Sequence, residues 1–91
     1  IAVEVESRAS KQVRGALVDL LSHSASRKLV VLLPVHMTNI QTTADQCRHI
    51  LGSHLPQKDF LVVILTGTGA NPQQAADAAH LKKELKAKGW P

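Results

Sequence analysis

The feature that most constrains the fold is a regular alternation of short apolar runs and longer amphipathic segments along the 91 residues. Three short runs have the pattern of strands, at residues 1–6, 29–35 and 60–65. Each is followed by a segment of helical periodicity, at residues 11–22, 40–55 and 72–88. Strands separated by helices of this length indicate βαβ crossovers. We therefore expect an α/β domain with three layers, in the order β-α-β-α-β-α, and a small, mostly parallel sheet.

Local signals suggest where the helices begin and end. Thr38 and Gln41 have the spacing of a capping box at the start of the second helix. Asn71 as a cap and Pro72 as the first helical residue suit the third helix, and Gly89 suits its end.

Two residues inside the helical segments are expected to pack closely. Gly15 lowers helix stability by up to roughly 1 kcal/mol relative to alanine, which predicts a compensating close contact with the sheet. Cys47 lies on the apolar stripe of its helix and is predicted to be a core residue.

Composition narrows the classes of protein that the chain can belong to. With 44% hydrophobic residues the chain is typical of one globular domain, which we assign to residues 1–91. A single cysteine excludes an internal disulfide and a cysteine-rich zinc module, and 2% aromatic residues argue against RNA recognition by stacked rings. Neither a secretory leader nor an apolar run of about 20 residues is visible, so we expect a cytoplasmic protein without membrane contact.

The sharpest chemical feature is the pair Glu4 and Glu6 at the end of the first predicted strand. Residues two apart on a strand point to the same face, so their side chains begin about 6–7 Å apart. Hard cations such as Mg²⁺ take one or two carboxylates and fill the remaining positions with water and phosphate oxygens. The pair is therefore either a metal site or the solvated polar face of an edge strand.

Basic residues follow the two acids directly. Arg8, Lys11 and Arg14 are spaced three apart, which places them on roughly one helical face if the helix begins early. Acids that hold a cation beside bases that neutralise phosphate are what phosphodiester cleavage requires. The same residues also fit simple ion pairing at the surface.

The order of these features resembles the latter half of the PD-(D/E)XK, or restriction-endonuclease-like, superfamily. The resemblance covers about residues 1–35: three apolar residues, then Glu-x-Glu, a polar break, a helix containing Gln-x-x-Gly-Ala, and a buried strand. It implies a mixed sheet of about four strands flanked by helices, and a nuclease that uses Mg²⁺ to cleave DNA.

Residue by residue, the resemblance puts Glu4 at the metal-binding acid and Glu6 where most members have lysine. It leaves the basic role to Lys11 or Gln12, with Arg8 and Arg14 as further contacts to nucleic acid. The family's first aspartate would lie before Ile1, so we expect an N-terminal portion to be missing and this fragment to be catalytically incomplete.

A different function is also compatible with the sequence. The turn at residues 66–71 joins a strand to a helix, and its backbone amides suit a phosphorylated ligand in a non-catalytic, Rossmann-like module. Three strands make a thin sheet, so a homodimer partner is a second way to complete it.

Overall fold

Three parallel strands form one sheet in the order β1-β2-β3. The computed structural model describes residues 1–7, 10–35, 37, 39–68 and 72–90, and for residues 10–12 the backbone alone. Its strands and α-helices are β1 (Ala2–Glu6), α1 (Ser10–Ser22), β2 (Lys28–Leu32), α2 (Ile40–Gly52), β3 (Phe60–Ile64) and α3 (Gln74–Lys88). A 3-10 turn, Gln57–Asp59, leads into β3. The predicted α/β class and element order are confirmed.

Helices α1 and α2 cover one face of the sheet and form the larger part of the core. Their buried contributors are Val13, Leu17, Leu20, Ala44, Cys47 and Leu51. These side chains pack on the even-numbered strand residues Ala2, Val30, Leu32 and Val62.

Helix α3 covers part of the opposite face, where the buried strand residues are Leu29, Val31 and Val63. Leu81, Leu85 and Trp90 pack on them. Helices therefore lie on both faces of the sheet, as the three-layer prediction requires, and all five residues of β2 are buried.

The carboxyl end of α3 is held by a glycine and a tryptophan. Gly89 adopts a left-handed conformation with φ of 78°, and its N–H donates to the Lys86 carbonyl at 3.0 Å. The Trp90 N–H donates to the Leu85 carbonyl at 2.9 Å, and the pair of bonds completes a Schellman motif. The predicted role of Gly89 is confirmed.

Several element ends differ from the sequence predictions, and local hydrogen bonding explains the differences. Strand β2 ends at Leu32 because Pro34, in the turn that follows, has no N–H for a ladder. Helix α2 is capped by Asn39, whose side chain accepts from the Thr42 N–H at 3.2 Å, and Thr38 lies outside the described residues.

The third helix also begins later than predicted. It starts at Gln74 rather than at Pro72, with Gln73 at the N-cap position, and the predicted cap Asn71 lies outside the described residues. No helix within the described ranges is long and apolar enough to cross a bilayer.

The prediction that Gly15 packs closely on the sheet is wrong. Gly15 is exposed, and a β-carbon built there meets nothing within 4 Å. Its side of α1 faces solvent, so the glycine has no packing role in the described structure.

We therefore expect Gly15→Ala to raise the free energy of unfolding by about 0.5–1 kcal/mol, because alanine restricts the unfolded chain and fits the helix. Urea unfolding followed by circular dichroism measures this. Gly89→Ala is the matched control and should destabilise the protein, because it forces a β-carbon into a left-handed conformation. A less stable Gly15→Ala protein would contradict the interpretation.

The prediction that Cys47 is a core residue is confirmed. It is fully buried between α2 and the sheet, and this burial raises the pKa of its thiol to about 11, against a smaller lowering by Arg48.

A buried thiol of raised pKa should react with Ellman's reagent only when the core opens. At pH 8 we expect the native rate to be on the order of a thousandfold below that in urea, because domain opening costs several kcal/mol. Comparable native and unfolded rates would show that Cys47 is accessible in the folded protein.

Candidate functional site

Strand β1 turns its charged side towards the helices and its apolar side towards solvent. Ala2 and Glu6 are buried and Glu4 is half-buried on the face that α1 and α2 cover. Val3 and Val5, on the opposite face, are 54% and 55% exposed. The two glutamates thus share one face, as their spacing predicts, and that face is not the solvated one.

Glu6 lies where β1 ends and the chain turns towards α1. Its side chain is 3% exposed, and its Oε1 accepts from the Ser7 N–H at 3.3 Å. Its backbone carbonyl accepts from the Leu33 N–H at 3.0 Å. One oxygen of the carboxylate is therefore held by the backbone of the residue that follows β1, and the side chain is largely removed from water.

Glu4 lies two residues closer than Glu6 to the amino end of β1. It lines a pocket of about 430 Å³ with Asp19 of α1 and with His23, which directly follows that helix, beside Ile1 and Ala2. Across the described part of the chain, no three His, Cys, Asp or Glu side chains are arranged to hold a metal ion. A cation at Glu4 and Glu6 would thus need water or substrate for its remaining ligands.

The predicted basic residues are placed only in part. Arg8 lies outside the described residues, and Lys11 and Gln12 lie in the first turn of α1 without described side chains. Arg14 is exposed and lines a different pocket, with Gln46 and other residues of α2. The structure thus does not bring Arg14 into the pocket that Glu4 lines, and Glu6 does not line that pocket either.

Sequence reasoning missed two charged residues that structure places near β1. Lys28, at the start of β2, is 2% exposed, and its Nζ donates to the His23 carbonyl at the carboxyl end of α1. Asp19 lines the Glu4 pocket. The available signals were a lysine that begins an apolar run and an aspartate in the last part of a predicted helix with a histidine four residues later.

The loop after β3 is held by hydrogen bonds to the Asp77 carboxylate of α3. The Asp77 carboxylate accepts from the Thr66 N–H at 2.9 Å, the Thr66 hydroxyl at 2.7 Å and the Gly67 N–H at 2.9 Å. A β-carbon on Gly67 would lie 2.9 Å from Asp77 Oδ2, so glycine is required for this contact. The Thr66 and Gly67 amides, which the alternative function would use to bind phosphate, therefore already donate to Asp77.

An apolar cavity of about 530 Å³ lies beside the same loop, at the carboxyl ends of β2 and β3. Leu33, Val35, Leu65 and Leu81 supply most of its apolar wall. It does not include Glu4 or Glu6, so the cavity and the acidic face of β1 are separate features.

No family model, curated protein or solved structure gives a significant match to the chain.

The three hydrogen bonds to Asp77 have a consequence for pH. The pKa of Asp77 is lowered from 3.8, first by the Thr66 N–H, then by the Thr66 hydroxyl, the Gly67 N–H and the charge of His80, against an opposing effect of desolvation. A lowered folded-state pKa stabilises the protein above pH 3.8, and that contribution is lost as the pH falls through the lower folded value.

We expect Asp77→Asn to lower the melting temperature at pH 7 and to match the parent protein near pH 2. Thermal unfolding between pH 2 and pH 7 measures this. Asp45→Asn is the control, since Asp45 forms an exposed ion pair with Arg48. An equal difference at both pH values would show that the effect of Asp77→Asn does not depend on the charge.

Proposed function

We propose that β1 carries the cation-binding carboxylates of a Mg²⁺-dependent phosphodiesterase that acts on DNA, with Glu4 and Glu6 as the metal ligands. The observation that supports this most is the orientation of the strand, which places the two acids beneath the helices and the valines in solvent.

Packing energy alone favours the opposite orientation. Burying an ionised carboxylate costs several kcal/mol unless it is compensated, whereas burying apolar surface gains roughly 25 cal/mol per Å². A shift of one residue in register would exchange the two faces of β1. Glu6 has partners that offset part of this cost, among them the Ser7 N–H, and a buried, hydrogen-bonded carboxylate beside a half-buried one is a candidate for a functional site.

The donor set suits a hard divalent ion. Glu4 and Glu6 offer carboxylate oxygens from one strand, and Mg²⁺ is usually held by one or two carboxylates with water and phosphate oxygens in the other positions. When bound, such an ion supplies a Lewis acid for the phosphoryl group and lowers the pKa of a coordinated water.

The chain's own residues would divide the remaining work. Glu6, oriented by the Ser7 N–H, would be a second ligand or would orient the attacking water. Lys11, with Arg8 or Arg14, would neutralise phosphate charge, and Gln12 is an alternative to Lys11. The net charge of +4 is compatible with a polyanionic substrate.

Metal binding tests the proposal without requiring turnover. Added Mn²⁺ should broaden the NMR amide signals of residues 3–7, and Mg²⁺ should compete. Glu4→Gln with Glu6→Gln should weaken Mn²⁺ binding by at least about tenfold, because two charged ligands become neutral amides.

Glu84→Gln, on the opposite side of the sheet, is the matched control and should bind Mn²⁺ as the parent protein does. Unchanged broadening of residues 3–7 in the double variant would remove the acidic pair from any metal site.

The alternative, a non-catalytic phosphate-binding module at residues 66–71, has less support. The Thr66 and Gly67 amides donate to Asp77, and an incoming phosphate would have to displace that carboxylate.

A further inference from the structure

The outer edge of β1 offers backbone hydrogen-bonding groups to a further strand. The Ala2 N–H donates to the Arg27 carbonyl at 2.9 Å, and the Glu6 carbonyl accepts from the Leu33 N–H at 3.0 Å. The even-numbered residues of β1 thus direct their backbone groups to β2. Because the direction alternates along a strand, the N–H and C=O groups of Val3 and Val5 point away from β2, where no described strand pairs with them.

Within the described residues, the solvent-exposed face of this edge lacks the features that usually prevent pairing, although Glu4 and Glu6 on the covered face disfavour an acidic partner. Natural edge strands are protected by a proline, a bulge, a charged side chain on the open face or a covering segment. The exposed face of β1 instead has Ile1, Val3 and Val5, each more than half exposed. Helix α3 packs on residues of β2 and β3 and leaves these three uncovered.

The other face of the same edge is acidic. Glu4 and Asp19 line the pocket of about 430 Å³ between β1 and the end of α1. His23 also lines it, and its Nδ1 accepts from the Ala25 N–H at 3.1 Å. Side chains of an added strand that face α1 would therefore meet two carboxylates.

We infer that the open edge of β1 binds an extended polypeptide segment in which apolar side chains alternate with basic ones. Its backbone would extend the ladder at Val3 and Val5, its apolar side chains would cover the exposed aliphatic face, and a lysine or arginine would lie against Asp19 and Glu4. This is strand addition to a sheet edge, in which the backbone supplies affinity and the alternate side chains supply specificity.

Charge favours this occupant over a second copy of the chain. Two copies of β1 paired along this edge would bring Glu4 and Glu6 of each against the same acidic face of the other. Like charges directly across a strand pair are destabilising, and more so where they are partly buried. A basic segment is complementary at the same positions.

The test uses a labelled nine-residue peptide of alternating valine and lysine, with binding measured by fluorescence anisotropy at low salt. Two comparison peptides carry glutamate in place of lysine, or N-methyl groups at the central residues to remove backbone donors. We expect the lysine peptide to bind and both comparison peptides to bind at least about tenfold more weakly, which corresponds to about 1.4 kcal/mol.

Protein variants locate the binding site and leave Glu4 and Glu6 intact, so that this inference and the metal proposal can fail separately. Val3→Lys should weaken binding at least about tenfold. Val18→Lys is its control, since Val18 is an equally exposed aliphatic residue on α1 outside the pocket. Asp19→Lys should weaken binding of the lysine peptide by about fivefold, while Asp45→Lys should not.

Equal binding to Val3→Lys and to the parent protein, or equal binding of the N-methylated peptide, would overturn the inference. So would a concentration-dependent dimer of the parent protein that Val3→Lys abolishes in sedimentation experiments, because the occupant of the edge would then be a second copy.

Discussion

Strand β2 has no side that faces solvent, and the positions of the other elements follow from that. All five of its residues are buried, with Val30 and Leu32 beneath α1 and α2 and with Leu29 and Val31 beneath α3 and Trp90. Its neighbours run parallel to it, which hairpins cannot achieve, so a helix must return the chain across the sheet between successive strands. The polar exception, Lys28, donates to a carbonyl at the end of α1, where the helix dipole favours a positive charge.

The sequence was sufficient for the kinds of element and their order, because that signal is spread over many residues. The apolar runs at residues 29–35 and 60–65 contain β2 and β3, and the three segments of helical periodicity contain most of α1, α2 and α3. Element ends were less predictable, since each depends on competition between neighbouring polar groups. Asn39 rather than Thr38 caps the described start of α2, and α3 begins at Gln74 rather than Pro72.

For the candidate site, spacing predicted that Glu4 and Glu6 share a face but was silent on which face is covered. An alternating sequence fits either orientation of the strand equally well. The acids are covered because α1 lies over their face, and the valines are exposed because α3 packs on β2 and β3. Contacts such as Asp77 with Thr66 join residues eleven apart in different elements and have no local pattern. The roles of Arg8, Lys11, Gln12 and Arg14 towards nucleic acid stay predictions.

The single tryptophan allows the docking of α3 to be followed by fluorescence. Trp90 is 6% exposed, its Nε1 donates to the Lys58 carbonyl at 3.3 Å, and the Arg27 guanidinium lies 5.9 Å from its ring centroid. It therefore touches the segments that lead into β2 and β3. With no tyrosine in the chain, ultraviolet emission comes almost entirely from this one indole. Its wavelength thus reports on the docking of α3, the only covering that one side of the described sheet has.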